Sequence, residues 1–214
     1  MEHFVITISR GYGSGGKQIG IMLAKELGVE YYDQDITRFA SEDSGINESL
    51  FAQSDEKVKG ASALMASLSG GAYDHKVISP NKKGFVSDSN LFNYQAKTIK
   101  ELARKESCVI IGRAADYVLE NEPDVIRVNI QARFDDCVKT VMVRSCISQK
   151  EAAKMIRRID KERADFYHYY TGRDWDDELN YDLTLNTSLM DWPTAVKLIR
   201  SYIEIRQAEK AEEE

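Results

Sequence analysis

Two rhythms of apolar and polar residues alternate along this chain. Phe4 to Ser9 is a short β-branched run suited to a buried parallel strand, and beyond a glycine-rich stretch Ile19, Leu23 and Leu27 recur every four residues, as on one face of a helix. Gly28 supplies a left-handed helix stop, and Val29 to Asp33 then reads as a second strand ending in a carboxylate. Cys108 to Arg113, Val125 to Gln131 and Tyr181 to Asn186 read as three further core strands, each set off from the next by helix-period sequence. Five strands alternating with helices predict an α/β fold of three layers, a parallel sheet covered on both faces, with ligands at the carboxyl ends of the strands.

Between the second and third strands lies a long insert, about residues 36–105, with helical pattern at both ends. Its softer centre, Ser67 through Gly84, is expected to be the mobile part. Ser148 and Glu151 form a capping-box signature that opens a long helix, rich in Arg and Lys, running to about Tyr170. Asp191 and Pro193 mark the start of a last helix, which ends in an acidic tail expected to be solvated and frayed.

Composition narrows the function more than the fold. The 214 residues fit one domain, core 1–35 and 106–214, with the insert set into it. A net charge of -6 argues against a bulk nucleic-acid binder, which would show a basic balance. Cys108, Cys137 and Cys146 make no CxxC pair, so they read as small core residues in a reducing compartment. The N-terminus reads as a strand and not as a signal peptide, and no run approaches the roughly 18 apolar residues of a membrane span. A cytoplasmic protein acting on small-molecule nucleotides, with neither nucleic acid nor membrane as partner, is the expectation.

Chemistry concentrates in Gly11, Gly13, Ser14, Gly15, Gly16 and Lys17. They supply the phosphate-loop pattern of glycine, four residues, then Gly-Lys, except that Gln18 stands where Ser or Thr completes it. Successive backbone N–H groups must turn inward to make an anion nest, and side chains would block that approach. The following helix adds its positive end, and Lys17 reaches the outer phosphates as a point charge. Without a hydroxyl at position 18, Mg²⁺ leans on phosphates, water, the Gln18 carbonyl, or Ser14, Asp33 and Asp35.

Four stretches carry a resemblance to a known family: Ile6 to Lys17, Tyr31 to Asp33, Val109 to Arg113, and Asp160 to Arg163 followed by Tyr181 to Ser188. Over nearly its whole length the chain resembles the cytidylate kinase-like branch of the nucleoside monophosphate kinases. The resemblance implies a P-loop kinase fold with a helical insert that closes over the acceptor and an arginine-rich lid, about 157–175. It implies ATP as donor, Mg²⁺, and an acceptor nucleotide, CMP or dCMP first. It also implies roles: Lys17, Arg158 and Arg163 for the transferring group, and Asp33, Arg38, Arg113 and Arg144 for the acceptor and its phosphates. Gln18 and Ala114, which stands where the cytidylate enzymes carry Asp, depart from the pattern and leave the base open.

Structural readings stand beside these. Arg157, Arg158, Lys161 and Arg163 interleave with Asp160, Glu162 and Asp165, as in a helix surface laced with i to i+4 ion pairs. Asp33 could cap the next helix, and Tyr167, Tyr169, Tyr170 and Trp175 could stack on a base or pack the helix on the sheet. The rival functions are a P-loop kinase for another small acceptor and a nucleotide-binding regulator without turnover.

Overall fold

The computed structural model describes residues 3–57 and 71–213. Its strands are β1 (Val5–Arg10), β2 (Glu30–Tyr32), β3 (Cys108–Ile111), β4 (Val125–Gln131) and β5 (Leu183–Asn186). Among the described residues the helices, in chain order, are α1 (Gly16–Leu27), α2 (Asp35–Ser44), α3 (Glu48–Lys57), α4 (Asp88–Lys105), α5 (Ala115–Val118), α6 (Phe134–Ser145), α7 (Gln149–Thr171) and α8 (Trp192–Glu213). The sheet runs in the order β2-β3-β1-β4-β5, with every neighbouring pair parallel. Val5 is level with Cys108 on one side and Val125 on the other.

Alternation along β1 explains the layers. Ile6 and Ile8 join Val109, Ile111, Val128 and Ile130 on the face covered by Ile19 and Leu23 of α1 and by Val196, Ile199 and Ile203 of α8. Val5 joins Cys108 and Ile110 on the other face, under Phe92 and Ile99 of α4 and Tyr167 and Tyr170 of α7. Each such side chain stabilises the fold by roughly 1.5–3 kcal/mol, far more than any turn propensity, so the buried strands decide where the loops at their ends lie.

The strands fall within one or two residues of the sequence reading. β3 stops at Ile111 and not Arg113 because Gly112, Arg113 and Ala114 have φ of 77°, 61° and 51°, which turns the chain out of the sheet. The capping box of α7 is present, with Glu151 N–H donating to Ser148 Oγ and Ser148 N–H to Glu151 Oε2. Two of the cysteines are core residues as read, but Cys146 is exposed, at φ 53° where α6 ends.

The insert forms α2, α3 and α4 around a small core of Ala40, Ile46, Phe51, Leu91 and Tyr94. Of its softer centre, residues 67–70 lie outside the described residues. Residues 71–87 form turns tied to their neighbours: Ala72 N–H donates to Tyr169 O at 2.9 Å, and the Asn90 amide donates to Ile78 O and Phe85 O. Among the described residues no helix is long and apolar enough to cross a membrane.

Candidate active site

β1 and β3 are neighbours in the sheet, yet one runs into residues 11–17 and the other into Gly112 and Arg113. The connections leave in opposite directions, and a crevice opens at the strand ends, as doubly wound sheets require. Gly13 and Gly15 give the first loop its shape, with φ of 93° and 87°. A Cβ on Gly13 would lie 2.8 Å from the Cys137 carbonyl oxygen, and one on Gly15 would run into the Trp192 indole nitrogen.

The loop is held from within and from behind. Ser14 Oγ donates to Gly11 O at 2.9 Å, and Thr187 Oγ1 donates to Ser14 O at 2.8 Å. The backbone N–H groups of Gly13, Gly15, Lys17 and Gln18 find no acceptor among the described residues. α1 starts without a side-chain cap and with no acidic residue in its first turn, so its positive end is not neutralised. Four free donors at an uncapped helix start make a site for phosphate oxygens.

Lys17 and three arginines, Arg10, Arg113 and Arg163, face the same opening, a cleft of about 460 Å³. Lys17 Nζ lies 2.8 Å from Asp33 Oδ2, and Arg10 Nη2 lies 3.8 Å from Asp33 Oδ1. Lys17 is 46% exposed, whereas Arg10 and Asp33 are 19% and 13% exposed. Burial pushes Arg10 down to about 9, with the Arg163 guanidinium adding to the fall and Asp33 opposing it. Arg163 reaches in from α7: its Nη1 donates to Arg10 O at 2.9 Å and to Asp160 Oδ1 at 3.3 Å. That same Asp160 oxygen accepts Tyr12 N–H at 2.8 Å, so α7 is fastened to the loop. Burial holds the Asp160 carboxyl above and the Arg163 guanidinium below its usual range.

Across the cleft, Gly112 N–H donates to Ile8 O at 2.9 Å, and the left-handed turn that follows carries Arg113 to the rim, where Nη1 donates to Gln95 Oε1 at 3.3 Å. Positive φ at two non-glycine residues costs on the order of 1–3 kcal/mol each, a strain found most often where a site is built. Below lies Asp116, buried, whose Oδ2 accepts the Tyr167 hydroxyl at 2.6 Å; burial pushes its carboxyl up to about 6.

Lys17, Asp33, Arg113 and Arg163 thus line one cleft. Asp33 does not cap α2, whose N-cap is Gln34. Arg38 points along the surface of α2, 2.9 Å from Glu42 and 3.5 Å from Asp35, with its guanidinium over the Phe39 ring. Arg158 pairs with Glu162 at 3.1 Å, and Lys161 with Asp165, so the i to i+4 reading accounts for both. Arg144 lies over the Tyr12 ring, and Gln18 is half-buried. Trp175 and Tyr181 anchor to Ser9 Oγ at 2.8 and 3.2 Å.

Sequence reasoning passed over Arg10, Asp160 and Asp116. For Arg10 a signal was present, since a charged residue at the end of a buried strand marks the crevice, as the carboxylate that ends the second strand does. Asp160 opens one of the stretches that carry the resemblance, but its sequence context gives it no role beyond a place among alternating charges.

Similarities to known proteins agree with this architecture. No curated protein matches the chain. Among solved structures it is similar to an uncharacterized protein from Eubacterium ventriosum ATCC 27560, with 24% identity, TM-score 0.69, and coverage of 94% of this chain and 99% of that one. It is similar also to shikimate kinase from Bacteroides thetaiotaomicron (14% identity, TM-score 0.53, 94% and 98% covered) and to a gluconokinase from Sinorhizobium meliloti 1021 (13%, 0.50, 97% and 95%). At such identities these likenesses speak for the fold alone, that of the P-loop kinases. The cytidylate kinase-like family matches residues 5–189, the loop, the crevice and α7 included, and the chain belongs to that family.

Proposed function

We propose that this P-loop kinase transfers the γ-phosphoryl group of ATP to a nucleoside monophosphate, CMP or dCMP first, giving the diphosphate. The observation that carries the reading is the set of four free N–H groups at the start of α1, with Lys17 beside them and Arg113 facing them across the cleft. The donor's phosphates take the loop amides, and Lys17 leaves Asp33 to follow the outer phosphate. An acceptor phosphate oxygen attacks the γ-phosphorus, the bond to the β–γ bridging oxygen breaks, and ADP departs. Arg163 stands where the charge of the moving group develops.

No general base is needed, because the attacking oxygen is already ionised. The donor set fits a Mg²⁺ ion carried by the nucleotide. Ser14 Oγ donates to Gly11 O and accepts from Gly16 N–H, position 18 has no hydroxyl, and Asp33 is the cleft carboxylate beside Lys17, which suits an ion that keeps most of its phosphate and water ligands. Such an ion neutralises charge on the phosphates. In this reading the insert at 36–105 covers the acceptor, and the segment 157–175 acts as the lid.

The test is ADP formation with CMP, dCMP, UMP and AMP as acceptors. Faster turnover with one of them than with ATP alone supports the reading. If all four fail while another small molecule is phosphorylated, the acceptor is wrong and the kinase stands. The absent hydroxyl at position 18 favours, as a second reading, a nucleotide-binding regulator; ATP binding with no transfer to any acceptor, with Mg²⁺ or Mn²⁺, would single it out.

A further inference from the structure

Arg10 is the least satisfied cation in the cleft. Its guanidinium carries five N–H donors, and among the described residues none of them makes a hydrogen bond. Its carboxylate neighbour, Asp33, is 3.8 Å away and already bonded to Lys17 at 2.8 Å. The two nearest guanidiniums, Arg163 and Arg113, repel it. A cation withdrawn from water with no hydrogen bond, and with only a carboxylate it shares with Lys17, is costly, and a second anion would complete the arrangement.

The fold makes room for this side chain. A Cβ on Gly112 would run into Arg10 Nη1, so the guanidinium lies against bare backbone at the end of β3, directly beside Arg113. Arg163 lies between this corner and the loop, bonded to the Arg10 carbonyl and set over the Tyr12 ring. The loop amides and Lys17 already suffice for donor phosphates, so the arginine corner answers to a second anion.

We propose that Arg10, flanked by Arg113 and Arg163, grips the anionic group of the acceptor, a phosphate or a carboxylate, and thereby decides which acceptors the cleft admits. The inference rests on the phosphotransfer reading above, but it names a residue and a charge requirement which that reading does not. A planar guanidinium meets either oxyanion with two parallel N–H bonds, which an ammonium cannot do. Neutral acceptors such as nucleosides are disfavoured because they leave the Arg10 N–H donors without an acceptor.

The experiment is calorimetric titration of CMP into the protein saturated with a non-hydrolysable imido analogue of ATP, comparing wild type with Arg10→Gln and Arg10→Lys. Thermal unfolding checks that each variant folds, and Arg10→Lys, which keeps a cation, serves if Arg10→Gln does not. CMP affinity should fall about tenfold to a hundredfold in Arg10→Gln, the loss of a charge-assisted bond, with a smaller loss in Arg10→Lys. Affinity for the ATP analogue should stay within twofold, and cytidine should bind wild type and variants equally weakly.

CMP affinity within twofold of wild type, or an equal loss for the ATP analogue, overturns the proposal. If wild type takes no nucleoside monophosphate but takes glycerate or malate in an Arg10-dependent manner, the nucleotide reading falls and the role of Arg10 stands. If neither class binds, inorganic phosphate is the probe. Arg10-dependent phosphate binding to the donor-filled protein sustains the inference, and no anion binding at all ends it.

Discussion

Asp116 is 5% exposed, its carboxyl is pushed up to about 6 by burial, and its Oδ2 accepts the Tyr167 hydroxyl at 2.6 Å. Between the ordinary carboxylate range and that value the folded state binds a proton that the unfolded chain releases. Asp116 therefore favours the fold fully below about pH 4, and this contribution is lost as pH rises through about 6. Raised by about two units, the carboxyl accounts for about 3 kcal/mol. Asp116→Asn keeps an acceptor for Tyr167 and removes the ionisation. Thermal unfolding should show the variant melting with wild type near pH 4 and several degrees above it at pH 8; a variant less stable than wild type at pH 8 would contradict the assignment.

At this scale the sequence is uneven. Lys17 and its glycines are legible because the phosphate nest needs bare backbone in a fixed order, and Asp33 and Arg113 because each ends an apolar run. Arg38 and Arg158 are not, because an arginine that pairs with a neighbour at i+4 and one that enters a cleft look alike in one dimension. Which face of α7 meets the loop depends on Tyr12 and Asp160, 148 residues apart.

Elements were more legible than their partners. The two strand faces show as β-branched runs because both sides of a parallel sheet are buried, and the box at Ser148 and Glu151 is a local device whose atoms lie within one turn. The turns at 71–87 were not, since their local bonds, such as Lys82 N–H to Ser79 O, are joined by anchors from Asn90 and from the end of α7, which lie outside the segment. Because the cap is local and distant from the cleft, Ser148→Ala should lower the melting midpoint by about 2–4 °C with transfer rates unchanged. A shift near zero in calorimetric unfolding would show that core packing of α7 through Ile156, Tyr167 and Tyr170 makes the cap redundant.

At the scale of the molecule, function follows from strand order. Placing β3 beside β1 sets Arg113 opposite the loop, and running α7 back across that mouth brings Arg163 onto the Arg10 carbonyl. None of these meetings is local in sequence, so the resemblance could name Arg113 and Arg163 while Arg10, the side chain they flank, stayed hidden. Family membership and fold establish a P-loop kinase architecture, and the central claim is that it moves a phosphoryl group between nucleotides. The most direct measurement follows label from [γ-³²P]ATP into CMP by wild type and by Lys17→Ala with Mg²⁺ present. Label should appear in CDP, and Lys17→Ala should slow its appearance on the order of 10²–10³-fold. Label that reaches only water, or a variant as fast as wild type, would contradict the account.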